Sequence, residues 1–155
     1  MTSPLSELTN AGPSPLGAPR PGILPIRDDN GVLTVSGQIA AADGVLLHSG
    51  QVGGPVTLIQ ARDCAWQCAL NVLTVVEREL GSLDRVVQVD RVTVYVASTP
   101  DFTDQHLVAD AATEAFIRVL GERGRHARAA LGVAALPAGS PTEIDAIIRV
   151  RPPRR

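Results

Sequence analysis

Arg128 opens a run of small and apolar residues, Ala129-Ala130-Leu131-Gly132-Val133-Ala134-Ala135. A turn through Pro137 and Gly139 follows, and a second apolar run at 142–150 carries Glu143 near its start. A guanidinium is a permanent cation whose planar fork makes two parallel charge-assisted hydrogen bonds to a carboxylate. A carboxyl group whose pKa is lifted by burial can hold a water and take its proton. Together the two side chains could grip a small anion and turn it over. Each also has a plainer role: Arg128 in a salt bridge across a hairpin or a subunit boundary, Glu143 as a solvated or arginine-paired acid. Asp145, two residues on and on the same strand face, is the rival of Glu143.

The hydrophobic period defines the elements that must position these groups. Residues 32–36 read as a strand and 44–49 as a second short one. Thr57 is the expected N-cap of a helix that runs to Leu80 and closes at Gly81, with Ala61, Ala65, Cys68, Val72, Val75 and Val76 on its apolar stripe. Residues 86–97 are β-branched and read as a long strand. A second helix opens at Asp101 or Thr103 and ends at Gly121, and 128–135 and 142–150 close the chain as a hairpin. The order β-β-α-β-α-β-β predicts an α+β architecture, one mixed sheet with two helices packed on one face.

Strand parity places Leu33, Val35, Val92, Val94, Val96, Ile144, Ala146 and Ile148 on the covered face. The alternate residues, Thr34, Ser36, Arg91, Thr93, Tyr95, Glu143, Asp145 and Ile147, form a mixed second face. A face of that kind left uncovered predicts a homo-oligomer with its sites between subunits. On its own strand Arg128 shares a side with Ala130, Gly132 and Ala134, which leave room for a ligand.

Composition narrows the chemistry. A chain of 155 residues with 45% hydrophobic residues is sufficient for one domain, and 3% aromatics leave Ala, Val, Leu and Ile to build its core. We divide it into a proline-punctuated lead-in at 1–25, a single domain at 26–150 and an Arg/Pro tail at 151–155. The net charge of −2 gives no electrostatic reason to bind nucleic acid or an anionic membrane, and the absence of lysine excludes Schiff-base catalysis by that residue. No stretch approaches the roughly 18 apolar residues of a membrane span. With no secretion signal visible and Cys64 and Cys68 spaced four apart in a helix, we expect a reduced, cytoplasmic protein. The cysteines with His48, His106 or His126 make no zinc pattern, and Gly50-Gln51-Val52-Gly53-Gly54 lacks the Lys and Ser/Thr of a phosphate loop, so no metal or cofactor is expected. Trp66 lies off the helical stripe and hints at a second contact surface. Ser36 offers a hydroxyl, but no His and Asp are spaced to activate it.

Several segments carry a family resemblance: Val35-Ser36-Gly37-Gln38-Ile39, Ala69-Leu70-Asn71-Val72-Leu73, Gly81-Ser82-Leu83-Asp84-Arg85-Val86, and Val94-Tyr95-Val96-Ala97 followed by Pro100-Asp101-Phe102. His126-Ala127-Arg128, Ala135-Leu136-Pro137 and Glu143-Ile144 continue it. In this order and spacing, over 31–150, the chain resembles the YjgF/YER057c/UK114 family, also called Rid, for reactive intermediate deaminase. The long lead-in and the His-Ala-Arg form resemble a subgroup without settled function.

The resemblance implies a chorismate-mutase-like fold and a homotrimer with clefts between neighbouring subunits. It implies hydrolysis of reactive enamines and imines, such as 2-aminoacrylate, to 2-keto acids and ammonia, without a cofactor. The alternatives are a trimer that binds a small carboxylate metabolite without turnover and, more weakly, the endoribonuclease L-PSP activity that some relatives are named for. By position, Arg128 matches the arginine that binds the substrate carboxylate, Glu143 the acid near the attacking water, and Ser36 and Gly37 the pair lining the cleft. Three positions depart from the family. Ala130 stands where a cysteine is frequent, and Asp110 where an asparagine is common. No tyrosine stands near Ile23 or Leu24. Asp110 and Ala130 are carried over as substrate-binding positions, and an Asp110 in place of the asparagine could repel a carboxylate.

Overall fold

The computed structural model describes residues 20–152 together with Leu5 and Leu8. The remainder of the expected lead-in, and residues 153–155 of the expected tail, lie outside the described residues. Leu5 is buried, and Leu8 packs against the core.

Two helices cover one face of the sheet. Helix α1 (Leu58–Leu80) starts where the sequence predicts. The Thr57 side chain accepts from Gln60 N, and the Gln60 side chain accepts from Thr57 N, a reciprocal cap worth about 1 kcal/mol. Gly81, at φ 77, closes it in the left-handed conformation that favours glycine. Helix α2 (Gln105–Leu120) begins beyond the expected Asp101 or Thr103, with Asp104 at its N-cap. Small residues line both buried faces, Ala61, Ala65, Cys68 and Ala69 on α1 and Ala109, Ala112 and Ala115 on α2, with Phe116 the largest fully buried side chain. This is how a core with few aromatics closes: short side chains let the layers approach. Cys64 and Cys68 are free and buried; burial pushes the Cys64 thiol up to about 12 and raises Cys68 as well, so neither offers a thiolate. Trp66 packs partly buried against the core. No described helix is long and apolar enough to cross a membrane.

The main sheet comprises β1 (Ile26–Asp29), β2 (Val32–Ile39), β5 (Val86–Ala97), β6 (Ala127–Val133) and β7 (Thr142–Val150), in the order β1-β2-β7-β5-β6. Strands β3 (Ala41–Ala42) and β4 (Val45–Leu46) form a separate hairpin. Only β5 and β6 are parallel, and α2 is the crossover that such a pair requires. The architecture is the α+β, chorismate-mutase-like one expected from the sequence.

Two expectations are corrected. The closing runs do not form a hairpin, because β5 lies between β6 and β7. A strand that follows a helical crossover docks parallel to its predecessor, and the chain then crosses the end of β5, where Ala97 N donates to Pro141 O at 2.9 Å. The second strand expected at 44–49 is only the small β3–β4 hairpin. The partner of β2 on that side is β1, joined through Asn30 (φ 54) and Gly31 (φ 87), an Asn-Gly turn whose twist suits a two-residue hairpin.

Face assignments on β2, β5 and β7 follow the parity expected. Leu33, Val35, Val92, Val94, Val96, Ile144, Ala146 and Ile148 are buried, while Glu143, Asp145 and Ile147 alternate with them on the open face.

Candidate functional site

The candidate residues fall into two clusters on opposite faces of the sheet. Arg128 lies in register with Val92, on the helix-covered side. From the edge strand β6 its guanidinium reaches α2. Nη1 donates to Asp110 Oδ1 at 2.9 Å and to Thr113 Oγ1 at 3.0 Å, and Nη2 lies 3.4 Å from His106 O. Thr113 Oγ1 is in turn 3.1 Å from His126 Nε2, while His126 Nδ1 is 2.7 Å from Gly124 O. A carbonyl can only accept, so Nδ1 carries the proton and Nε2 accepts from Thr113. Burial and the Arg128 charge hold His126 below the usual imidazole range, which keeps this tautomer neutral.

The strand edge adds backbone groups. The carbonyl of Val133 faces β5, accepting from Ser98 N at 3.0 Å. Alternation then turns the N–H and C=O of Ala130 to the free side of β6. Ala130 carries no more than a methyl group, and a Cβ at Gly132 would press on the side-chain ends of Ser98 and Gln105.

The second cluster lies on the open face. β2 carries a bulge: Ser36 and Gly37 together oppose Asp145, between the pairs Val35–Ala146 and Gln38–Ile144. Glu143 packs its carboxylate against Gly37, where a Cβ would sit 2.1 Å from Oε1. Only glycine leaves that niche open. Half-burial, assisted by the Asp145 charge, raises the Glu143 pKa above the ordinary carboxylate range. The neighbouring Tyr95 hydroxyl donates to Asp145 Oδ2 at 2.9 Å, which raises the Tyr95 pKa. The two carboxylates therefore differ: Asp145 has a partner, whereas Glu143 has no side-chain hydrogen bond among the described residues. A groove of about 360 Å³ continues beside them, lined by Thr34, Ser36, Gly37, Arg91, Asp145 and Ile147. Ser36 Oγ donates to Leu24 O at 2.6 Å, tying the end of the lead-in to the bulge.

Within one chain the anchor and the acid stay apart. Two strand spacings, roughly 10 Å, and three residues along the strands, again roughly 10 Å, separate their positions, and their side chains leave opposite faces. The structure groups Arg128, Asp110 and Ala130 at the β6 edge, and Glu143, Ser36 and Gly37 on the open face. Asp110, expected to repel a ligand carboxylate, binds Arg128 directly.

Four residues were not singled out as functional from the sequence. Asn71, buried in α1, donates to Ile39 O and Ala41 O at 2.9 Å each, and so fixes the end of β2 just beyond the bulge. A lone asparagine inside an apolar stripe is the signal that could have found it. Tyr95 shares a readable face with Asp145, but the register that pairs it with Glu143 and sets it diagonal to Asp145 is not local information. Thr113 gave no signal, and nothing in the sequence links it to His126, because only the packing of α2 against β6 brings them together.

A family model described as endoribonuclease L-PSP matches residues 25–150. The chain is 42% identical to protein TCP17 of Trypanosoma cruzi over 119 residues, 76% of this chain and 74% of that one. It superposes on the crystal structure of Atu1372 from Agrobacterium tumefaciens, of unknown function, with a TM-score of 0.86 and 38% identity, over 96% of this chain and 91% of that chain. The RidA structure from the Antarctic bacterium Psychrobacter sp. PAMC 21119 matches with a TM-score of 0.59 and 24% identity, over 92% and 96% of the two chains, a likeness of fold alone.

Proposed function

The chain belongs to the endoribonuclease L-PSP family, the YjgF/RidA group, and from that membership and its site chemistry we propose that it hydrolyses reactive enamines and imines of the 2-aminoacrylate type to 2-keto acids and ammonia. The observation that carries this reading is Glu143: a half-buried carboxylate with a raised pKa, seated against Gly37 and without a hydrogen-bond partner among the described residues. Such a group can hold a water and accept its proton near neutral pH.

In this mechanism Arg128 binds the substrate carboxylate and the outward N–H of Ala130 orients it. Water adds to the carbon of the C=N bond as Glu143 takes one of its protons and passes it to the nitrogen, giving a carbinolamine; the hydroxyl then forms the C=O as its own proton passes through Glu143 to the nitrogen and the C–N bond breaks. The products are the keto acid and ammonia. Imines of this kind already hydrolyse in water, so positioning and modest electrostatics suffice. Since Arg128 and Glu143 of one chain project from opposite faces, the reading requires a cleft between copies. The edge of β6 meets the open face of a neighbour in a homotrimer, and exposed Leu131 and Ile147 on that face are apolar surface such an assembly would cover.

A second reading, a trimer that holds a small carboxylate without turnover, is favoured by the Arg128–Asp110 pair, which already satisfies part of the anchor. The experiment that separates them generates 2-iminopropionate in situ and follows keto-acid release with and without the protein. Acceleration that is lost in Arg128→Ala supports the deaminase. No acceleration across several imines would leave the binding role. RNA cleavage that survives stringent repurification and disappears in Glu143→Gln would instead favour the endoribonuclease activity for which the family is named.

A further inference from the structure

The Arg128–Asp110 pair changes what the anchor can recognise. One oxygen of Asp110, Oδ1, accepts from Arg128 Nη1, while Oδ2 has no hydrogen bond among the described residues, and the side chain is 45% exposed beside an arginine at 22%. A ligand meeting the Arg128 donors not taken by Asp110, Thr113 and the His106 carbonyl therefore also meets a second, half-satisfied carboxylate. A plain anion gains the cation but faces a like charge about 5 Å away, which offsets much of the attraction. A ligand with an N–H cation one bond from its carboxylate is received differently. Its anionic end takes Arg128, and its nitrogen donates to Oδ2.

We propose that Asp110 is the specificity-determining residue of this site, selecting carboxylates that carry an adjacent protonated nitrogen and refusing those that carry only acceptors. This rests on the reading of Arg128 as the substrate anchor. The form held is the iminium zwitterion. Hydrolysis replaces its N–H donor with a carbonyl oxygen, so the keto acid confronts Asp110 acceptor to acceptor and leaves. The residue that favours binding of the substrate thus also drives release of the product, and the selection needs no movement of the fold.

The test is calorimetric titration of the assembled protein with 2-aminobutyrate, a stable zwitterion standing in for the iminium, and with 2-oxobutyrate, which has the same carbon skeleton. Wild type should bind the amino acid at least about tenfold more tightly. In Asp110→Asn, which keeps an acceptor for Arg128, the keto acid should tighten by about tenfold and the amino acid weaken, bringing the two together or reversing their order. Glu114→Gln removes one charge from the same helix, where Glu114 pairs with Arg62 and not with Arg128, and should behave as wild type. A keto acid that binds wild type as tightly as the amino acid would overturn the proposal, as would an unchanged ratio in Asp110→Asn. If the preference holds but imines are not hydrolysed, the deaminase reading fails and the selectivity stands. If neither ligand binds any of the three proteins, the anchor and the proposal fall together.

Discussion

The edge cluster and the open-face cluster are built on different principles. Around Arg128 the polar groups satisfy one another within a single chain: Asp110, Thr113, His126 and the Gly124 carbonyl form one continuous hydrogen-bonded series. Around Glu143 the chain leaves a carboxylate with no hydrogen bond among the described residues, a bulge kept open by Gly37, and a shallow groove with Arg91 on its rim. The first region is an anchor whose guanidinium is already engaged within its own chain. The second is a carboxylate left open, and it is here that the proposed cleft calls on a neighbouring copy.

The contrast can be broken most severely at the anchor. Arg128→Ala is expected to lower kcat/KM for imine hydrolysis by about 100-fold, near 2.7 kcal/mol, through loss of charge-assisted hydrogen bonds to substrate. The fold should hold, because the pair is partly exposed and worth about 1 kcal/mol or less to stability. Steady-state kinetics beside a denaturation midpoint check both halves.

At Glu143 activity and stability should move in opposite directions. Glu143→Gln is expected to reduce turnover by about tenfold to 100-fold as the general base is lost. The folded-state pKa of Glu143 is raised, so the native protein binds more protons than the unfolded chain between the ordinary carboxylate value and the raised one. Stability contributed by this group is therefore lost as pH rises through that window. The glutamine variant should match wild type in acid and equal or exceed it at neutral pH, as urea midpoints would register. Gly37→Ala, whose Cβ would enter the carboxylate, should lower turnover in the same way.

The sequence made much of this legible, for reasons that are local. Thr57, Gln60 and Gly81 mark α1 through their caps, and alternation of β-branched residues fixes which face of β5 and β7 is buried. The identities of Arg128 and Glu143 as the groups with chemistry to offer were equally readable. Their mutual placement was not. Two apolar runs joined by a short Pro/Gly turn look like a hairpin, but α2 obliges β6 to dock beside β5, and β7 then finds its place on the other side. That insertion separates the two groups, and the register that pairs Arg128 with Val92 sets it on the face opposite Glu143. Asp110 and Arg128 lie 18 residues apart in sequence, on elements whose contact is purely tertiary.

Smaller effects sharpen the contrast. His126 has a lowered folded pKa, so the unfolded chain binds the extra proton as pH falls below the ordinary imidazole value and toward the folded one. Stability should decline across that window in wild type and stay level in His126→Asn, while the variant's kcat/KM at pH 8 changes only a few-fold, since the residue acts on Arg128 through Thr113. Asp145→Asn is the mildest change. It removes a charge that raises Glu143, so the acid limb of the pH–rate profile should move to lower pH, with little change in the plateau.

Co-expression of Arg128→Ala with Glu143→Gln tests most directly whether anchor and acid meet between chains. Each variant alone is impaired, but in a mixed trimer an Arg128 from one chain can face a Glu143 from the other. Random mixing at equal amounts should restore about one quarter of the wild-type activity, because about one interface in four then carries both native residues. Activity no greater than that of the separate variants, in assemblies shown to contain both chains, would contradict a cleft shared between subunits.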